Sequence, residues 1–518
     1  MTIRDRVRAL PRWAHLLAAF ALGALSALAQ APYGLLPVLF VSFGGLFLLL
    51  DAAATCRRPL FVGFATGFAF GFGAMALGIY WVAFAFLVQA EQFAWLIPVL
   101  VPGLMAYLAL YAGLAGWLTV LVWRAGWSGD VTRVAVMAGA WSLGEVLRGE
   151  VFDGFPWNLV SQSATAFLPL AQAASWAGPY GLSLLMVALA TMPVLFLYGR
   201  RRRPVLGLGA LAALILVGAL GMAPTMMRDD AALVVVQPSV PQRDKLDPAK
   251  QEAALARMAA MTAEAARGTT PTTYAVWPEN AYRYLDEVPG IEAGLAAAMP
   301  DGVVLITGAV RAEPAGGTDY AFYNAIQVFG ATRDGLKPLT ATYDKHHLVP
   351  FGEFLPLGGF FRTLGLDSLA PGGFTPGPGP RTLPIGPAPF APLVCYEGVF
   401  PGELYPASDR PDWIAISTND AWFGDRAGPR QHLAIGQMRA IESGLPVARS
   451  ANTGISAVIG PRGRILNQLP LYQPGVLTQP LPAPLRPTPY DVWSDLIWAL
   501  MLLLVVFAPN LSGLASRG

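Results

Sequence analysis

Three short stretches of this chain carry side chains able to do acyl chemistry. Residues 391–400 (APLVCYEGVF) place a thiol, Cys395, at the end of an apolar run and follow it with Tyr396, Glu397 and Gly398. A glycine just past a strand end permits a sharp turn, which suits the presentation of a nucleophile. A packed core cysteine is the plain alternative, and on this window alone the better one. VWPEN ends a predicted strand at Glu279, and YDKHHLVPFGEF holds Lys345 and Glu353. Cysteine is a strong nucleophile only as thiolate, so it needs a base or a positive charge close by. Glu279 could take the thiol proton if its Trp277-Pro278 surround raised its own pKa. Lys345 could lower the thiol pKa and then hold a tetrahedral oxyanion together with the Tyr396 backbone N–H. Taken singly, each residue also has a dull explanation: surface glutamate, solvated lysine, core cysteine.

Positioning these residues falls to a soluble domain beginning near Ala231. ALVVVQPSV, TYAVW, GVVLITGAV, AFYNAIQVF, APLVC and DWIAISTND read as strands, with further strands near 446–450, 455–459 and 464–468. Residues 248–267 are Ala-rich with no internal Pro or Gly and read as a helix, as does 430–443. The pattern predicts an α/β or α+β sandwich. A long loop over 350–390, rich in Gly, Pro and Phe, is of the kind that usually serves function.

The remainder is of another kind. The 518 residues are 54% hydrophobic and 13% charged, with mean hydropathy +0.48, against about 25% charged in soluble domains. That predicts a polytopic membrane protein. Apolar runs near 13–30, 34–50, 60–87, 94–122, 131–147, 179–198, 204–222 and 490–509 give about eight spans. The expected organisation is a membrane domain over 1–222, a catalytic domain over 223–488, and a last span with its tail over 489–518. Arg57, Arg58, Arg124, Arg133, Arg200 to Arg203 and Arg517 fall on one side of this arrangement. The positive-inside rule then puts both termini in the cytoplasm and 223–488 outside. Cys56 and Cys395, the two cysteines, fall on opposite sides, so no disulfide forms, and no Cys/His zinc spacing exists. A net charge of +2 without a basic stripe gives no sign of nucleic-acid binding.

Two stretches invite lipid. Arg148, with Phe155 and Trp157 in the following GFPW segment, reads either as an aromatic belt loop or as a holder of a lipid head group. Phe351, Phe354 and Leu355, in PFGEFLPLGGFF, read as membrane contacts, with a packed loop as the alternative. His346 and His347 follow Lys345 directly. On an extended strand they would point to opposite faces, which leaves them as loop packing with no metal.

VWPEN, YDKHHLVPFGEF and LVCYEGVFP, in that order, resemble the three signature segments of the nitrilase superfamily, whose fold is an αββα sandwich. Fused between membrane spans, they resemble the branch of that superfamily that completes bacterial lipoprotein maturation. The resemblance implies Cys395 as nucleophile, Glu279 as general base and Lys345 as oxyanion-stabilising cation. It implies Glu353, Tyr396, Glu397 and Asn324 as supporting residues, and no cofactor. A membrane phospholipid would be the acyl donor and a diacylglyceryl apolipoprotein the acceptor. A monomer in the bacterial inner membrane, with its catalytic domain on the periplasmic side, is the expected setting. In PQRDKLD, Leu246 stands where the family pattern has Trp. A membrane-tethered amidase or nitrilase is the nearest alternative function, and a transporter with a regulatory outer domain a more distant one.

Overall fold

The computed structural model describes residues 2–127, 129–269, 272–283, 295, 298–316, 319–332, 335–354 and 373–515. They divide into two compact units, one of residues 1–223, 426–434 and 487–518, the other of 224–425 and 435–486.

The first unit is helical. Among the described residues, four helical stretches are long and apolar enough to cross a membrane: Pro59–Gly78, Ala90–Arg124, Ala174–Tyr198 and Arg202–Leu220. Val38–Ala54, at 17 residues, is apolar but shorter, and the last helix runs Leu496–Ala515, 20 residues, with an apolar stretch over Leu496–Val505. The helix over the weakest expected span, Asp130–Glu150, buries Glu145 and Arg148. Where about eight spans were expected, length and composition mark four among the described residues. Small residues allow the helices to touch backbone to backbone, as membrane helices do. A Cβ on Gly67 would lie 2.2 Å from the carbonyl oxygen of Ala112. At one end of the bundle, buried Asp51 gathers Arg4, Arg8 and Arg133 at 2.8, 3.1 and 2.7 Å.

The second unit holds the strands β1 (Met227–Gln237), β2 (Thr272–Val276), β3 (Tyr282–Arg283), β4 (Val303–Gly316), β5 (Asp319–Thr332), β6 (Gly335–Asp344), β7 (Phe390–Val394), β8 (Trp413–Thr418), β9 (Val447–Ala451), β10 (Ala457–Ile459), β11 (Ile465–Gln468) and β12 (Gly475–Pro482). Among the described residues they form two sheets. One is seven-stranded, β12-β1-β2-β4-β5-β6 with β3 beside β4; the other runs β11-β10-β9-β8-β7. β1, β2 and β4 are parallel, as are β7, β8 and β9.

Strand alternation explains the layering. Ala231, Leu233 and Val235 join Tyr274, Ile306, Ile326, Phe390 and Trp413 in a core drawn from both sheets. Val234 and Val236 face the other way, onto Leu255, Met258 and Ala259 of the helix Pro248–Ala265. That helix starts where Asp247 caps the N–H of Ala249 and Pro248 fills the first position. On the smaller sheet, a Cβ on Gly436 of the helix Ala427–Ser443 would meet Ile459 at 3.6 Å. Both sheets are thus covered by helix on their outer faces, with the apolar core between them.

Candidate active site

Cys395 directly follows β7 and takes a left-handed backbone conformation, with φ of 49°. A non-glycine residue held there costs about 1–3 kcal/mol and persists only where its surroundings enforce it. The enforcement is visible in Glu397. This buried carboxylate accepts from the Val394 N–H at 2.7 Å on one oxygen. Its other oxygen accepts from the Tyr343 hydroxyl at 2.7 Å and the His346 N–H at 2.8 Å. Burial opposes its ionisation, but the hydrogen bond with His346 and those from Tyr343 and Val394 hold its pKa below the ordinary value. Glu397 therefore pins the turn at Cys395 to the loop that carries Lys345. β7 pairs in parallel with β8, Val394 opposite Ser417, so Cys395 comes beside Thr418, whose hydroxyl hydrogen-bonds to the thiol. Thr418 donates to Asp420, whose two carboxylate oxygens both accept from Nη2 of fully buried Arg449, at 2.9 and 2.7 Å.

Glu279 lies three residues beyond β2, on a segment laid against β4. The Trp277 N–H donates to the Ile306 carbonyl at 2.8 Å and the Ala281 N–H to that of Gly308 at 2.9 Å. Gly308 is required here, since a Cβ would come 2.5 Å from the Cα of Glu279 and 2.6 Å from the Pro278 carbonyl oxygen. Gly308→Ala is expected to push Glu279 out of place at a cost of about 1–3 kcal/mol, the usual range for overpacking. Thermal melting and single-turnover acylation measure the two effects. An unchanged acylation rate would contradict so tight a fit.

Lys345 follows β6. Its N–H donates to the Asn324 carbonyl and its own carbonyl accepts from the Gly377 N–H, both at 2.8 Å. The ammonium is 1% exposed. It lies 2.7 Å from Glu353 Oε2 and 3.9 Å from Glu279 Oε1. Asn324 Nδ2 donates at 2.7 Å to Glu279 Oε1 and at 2.7 Å to Glu353 Oε1, while the Val349 N–H holds Glu353 Oε2 at 2.8 Å. Two carboxylates, one ammonium and one amide make a closed, buried network.

Burial raises the Glu279 pKa, opposed by Lys345 and reinforced by the neighbouring charge of Glu353. Burial would lower that of Lys345, but Glu353 and Glu279 outweigh it and keep the ammonium protonated. The thiol is pushed well up, by burial and then by the charge of Glu279, against the pull of Lys345. The expectation that Lys345 lowers the thiol pKa gives the sign of one contribution, not of the net shift. The resting thiol is protonated, so a base must take its proton as the reaction proceeds.

The geometry brings together Glu279, Lys345, Glu353 and Asn324, and the charges of Glu279 and Lys345 act on Cys395. Tyr396 is buried with its ring against Phe400 and His347. Two contributors escaped the sequence reading. Thr418 depends on strand register, and Lys245 reaches in from before the helix Pro248–Ala265 to donate to the Glu279 carbonyl at 3.0 Å. Lys245, Gln242, Asn280 and Asn452 line a cavity of about 40 Å³ behind Glu279. The PQ…K pattern was its only signal. The side chain of Leu246 lies outside the described residues, as do Leu355 and the rest of 355–361.

Among the lipid-contact candidates, Phe351 is 77% exposed and Phe354 partly buried. In the helical unit Arg148 is buried, donating to the carbonyls of Phe155 at 3.0 Å and Trp157 at 2.6 Å. Trp157 is buried as well, stacked on Phe155, its indole N–H on Gln431 at 2.8 Å. Phe152 is the exposed aromatic of that loop, at 80%. His346 and His347 differ from expectation too. After β6 the chain leaves the extended form and bends at His347, so both rings fall on one side.

A cysteine at a strict turn between two facing sheets, with a buried Lys and two Glu beside it, defines a carbon–nitrogen hydrolase-type site, and the carbon-nitrogen hydrolase family matches residues 231–490. The apolipoprotein N-acyltransferase N-terminal domain matches residues 22–192. Three relatives named apolipoprotein N-acyltransferase align along almost their whole length. That of Rhodopseudomonas palustris is 39% identical, covering 95% of this chain and 94% of the relative. That of Bradyrhizobium diazoefficiens is 41% identical, covering 95% of each. That of Brucella suis is 39% identical, covering 94% and 93%. The chain belongs to the apolipoprotein N-acyltransferase family.

Proposed function

We propose that the protein transfers a fatty acyl chain from a membrane phospholipid to the N-terminal amine of the diacylglyceryl-cysteine of an apolipoprotein, through a thioester on Cys395. The observation that carries this reading is the Glu279–Asn324–Glu353–Lys345 network around a buried thiol, in a chain of this family. Glu279 takes the thiol proton as sulfur attacks the ester carbonyl. Lys345 and the Tyr396 N–H receive the developing oxyanion. As the C–O bond breaks, protonated Glu279 returns its proton to the leaving alkoxide, releasing a lysophospholipid. The acceptor amine then attacks the thioester and loses a proton to Glu279; the C–S bond breaks and the thiolate regains that proton. One ester and one amine become one alcohol and one amide, in two half-reactions. The catalytic unit stands on the periplasmic side of the inner membrane, both termini stand in the cytoplasm, and the protein acts as a monomer. On the catalytic unit exposed Phe351 meets lipid; on the helical unit buried Arg148 braces the loop whose exposed Phe152 does so.

Intact mass spectrometry after incubation with phospholipid alone tests this reading. A fatty acyl increment on Cys395 is expected, released when the acceptor is added. A protein that releases free fatty acid from the lipid and never holds the increment would instead be a hydrolase.

The raised Glu279 pKa sets a pH dependence. Because the carboxylate, not the acid, is the base, the acylation rate rises with pH on a limb displaced above the ordinary glutamate value of about 4.3. Asn324 stabilises the charged form through its 2.7 Å bond. Asn324→Ala is therefore expected to move the limb to still higher pH. A pH profile of single-turnover acylation reads this directly, and a limb at or below pH 4 in the parent would remove Glu279 from the role.

A further inference from the structure

We propose that His346, His347 and Glu403 form a binding site for a divalent transition metal ion of zinc's class, separate from the acyl-transfer residues. One ligand atom from each of the three lies within 4.8 Å of the others. His347 Nδ1 and Glu403 Oε2 are 3.5 Å apart. Two ligands bonded at about 2.0–2.1 Å to one tetrahedral ion stand roughly 3.3 Å apart, so the pair is close to bridging distance. His346 Nδ1 lies 2.6 Å from buried Glu397. Nδ1 also meets the Tyr343 hydroxyl at 2.9 Å; with its proton on Nδ1 and shared with Glu397, Nε2 would carry the lone pair for a ligand. A carboxylate behind a ligating histidine is the usual outer partner of a metal-bound imidazole: it fixes the tautomer and raises its basicity. The His347 ring is fixed too, stacked on Phe400 at 3.6 Å. The three side chains are 16, 21 and 40% exposed, which lets an ion in from solvent. Two imidazoles and one carboxylate suit zinc, copper or nickel rather than magnesium or calcium.

Half of the chain's four histidines are gathered here, on the two residues directly after Lys345, while Glu403 comes eight residues after Cys395. An ion held by all three ties the loop of the oxyanion lysine to the segment leaving the nucleophile, and slows any step in which that loop moves. The proposal stands whether or not the acyl reaction is the one given above.

The test uses the full-length, tag-free protein in detergent, with Cys395→Ala in the background so that the thiol cannot ligate. Titration with Zn²⁺ by calorimetry, and with Co²⁺ by its visible d–d bands, is expected to give one equivalent per chain. Glu403→Gln should weaken binding at least about tenfold. It is a half-exposed isosteric change that leaves the fold intact, so it carries the test even if His347→Ala, which loses the Phe400 stack, misfolds. Absence of binding in the Cys395→Ala protein, or unchanged affinity in Glu403→Gln, would overturn the site. With Cys395 present, Zn²⁺ is expected to slow acyl transfer, and Glu403→Gln to need at least about tenfold more ion for the same effect. Equal sensitivity of both proteins would assign the inhibition to the thiol and overturn the link to the lysine loop.

Discussion

Cys395→Ser is expected to fold and insert as the parent does and to lose acyl transfer by roughly a thousandfold or more, the scale of removing a nucleophile. The reason is local. Serine replaces one atom with a smaller one, and the turn at 395 is held by Glu397 through Val394, Tyr343 and His346, none of which involves the thiol. What changes is acidity. A serine hydroxyl beside a carboxylate base gives up its proton far less readily than a thiol. Burial and the Glu279 charge already hold the native thiol protonated, so a still weaker acid leaves almost no attacking anion. The acyl increment in the intact mass should vanish, while melting temperature stays within a few degrees of the parent. Substantial transfer by the serine protein would mean that another group carries the acyl chain.

Lys345→Met is expected to damage both catalysis and stability. Among the described residues the ammonium is the cation that lies between Glu279 and Glu353, 3.9 and 2.7 Å from their oxygens. A methionine of similar volume leaves two buried carboxylates facing each other with Asn324 as their shared donor. Removing one partner of a buried ion pair costs about 3–5 kcal/mol. One carboxylate can protonate to relieve the repulsion, so the lower end of that range is expected near pH 5 and the upper end near pH 8. Catalysis falls further, because losing an oxyanion donor alone costs about 10²–10³ in rate. Denaturant unfolding at the two pH values, with single-turnover acylation, separates the effects. Equal stability loss at both would show that the carboxylates do not repel as the distances imply.

Much of this site was legible in the chain because its chemistry sits where apolar strands stop. Cys395 follows the apolar APLV of β7 and Glu279 follows TYAV at β2, whereas β6, GLKPLTATYD, which ends just before Lys345, was not read as a strand. A strand's end is readable from composition even when its neighbours are not. Thr418 was not readable, because its place beside the thiol comes from the register of β7 against β8. β12 was missed for another reason: GVLTQPLP carries two prolines, which break the strand pattern, and the structure places it on the edge of its sheet, where prolines are tolerated. In the helical unit, hydropathy found the apolar runs but could not tell a buried GFPW tryptophan from an interfacial one. That distinction rests on Gln431, more than 270 residues away.

The left-handed backbone at Cys395 has a consequence for how this family can change. A glycine at 395 would adopt the same torsion without the left-handed penalty yet leave the protein inert, so relief of the backbone and turnover pull this one position in opposite directions. Stabilising such an enzyme is therefore work for residues remote from the elbow, because at the elbow itself tension and reactivity are the same property.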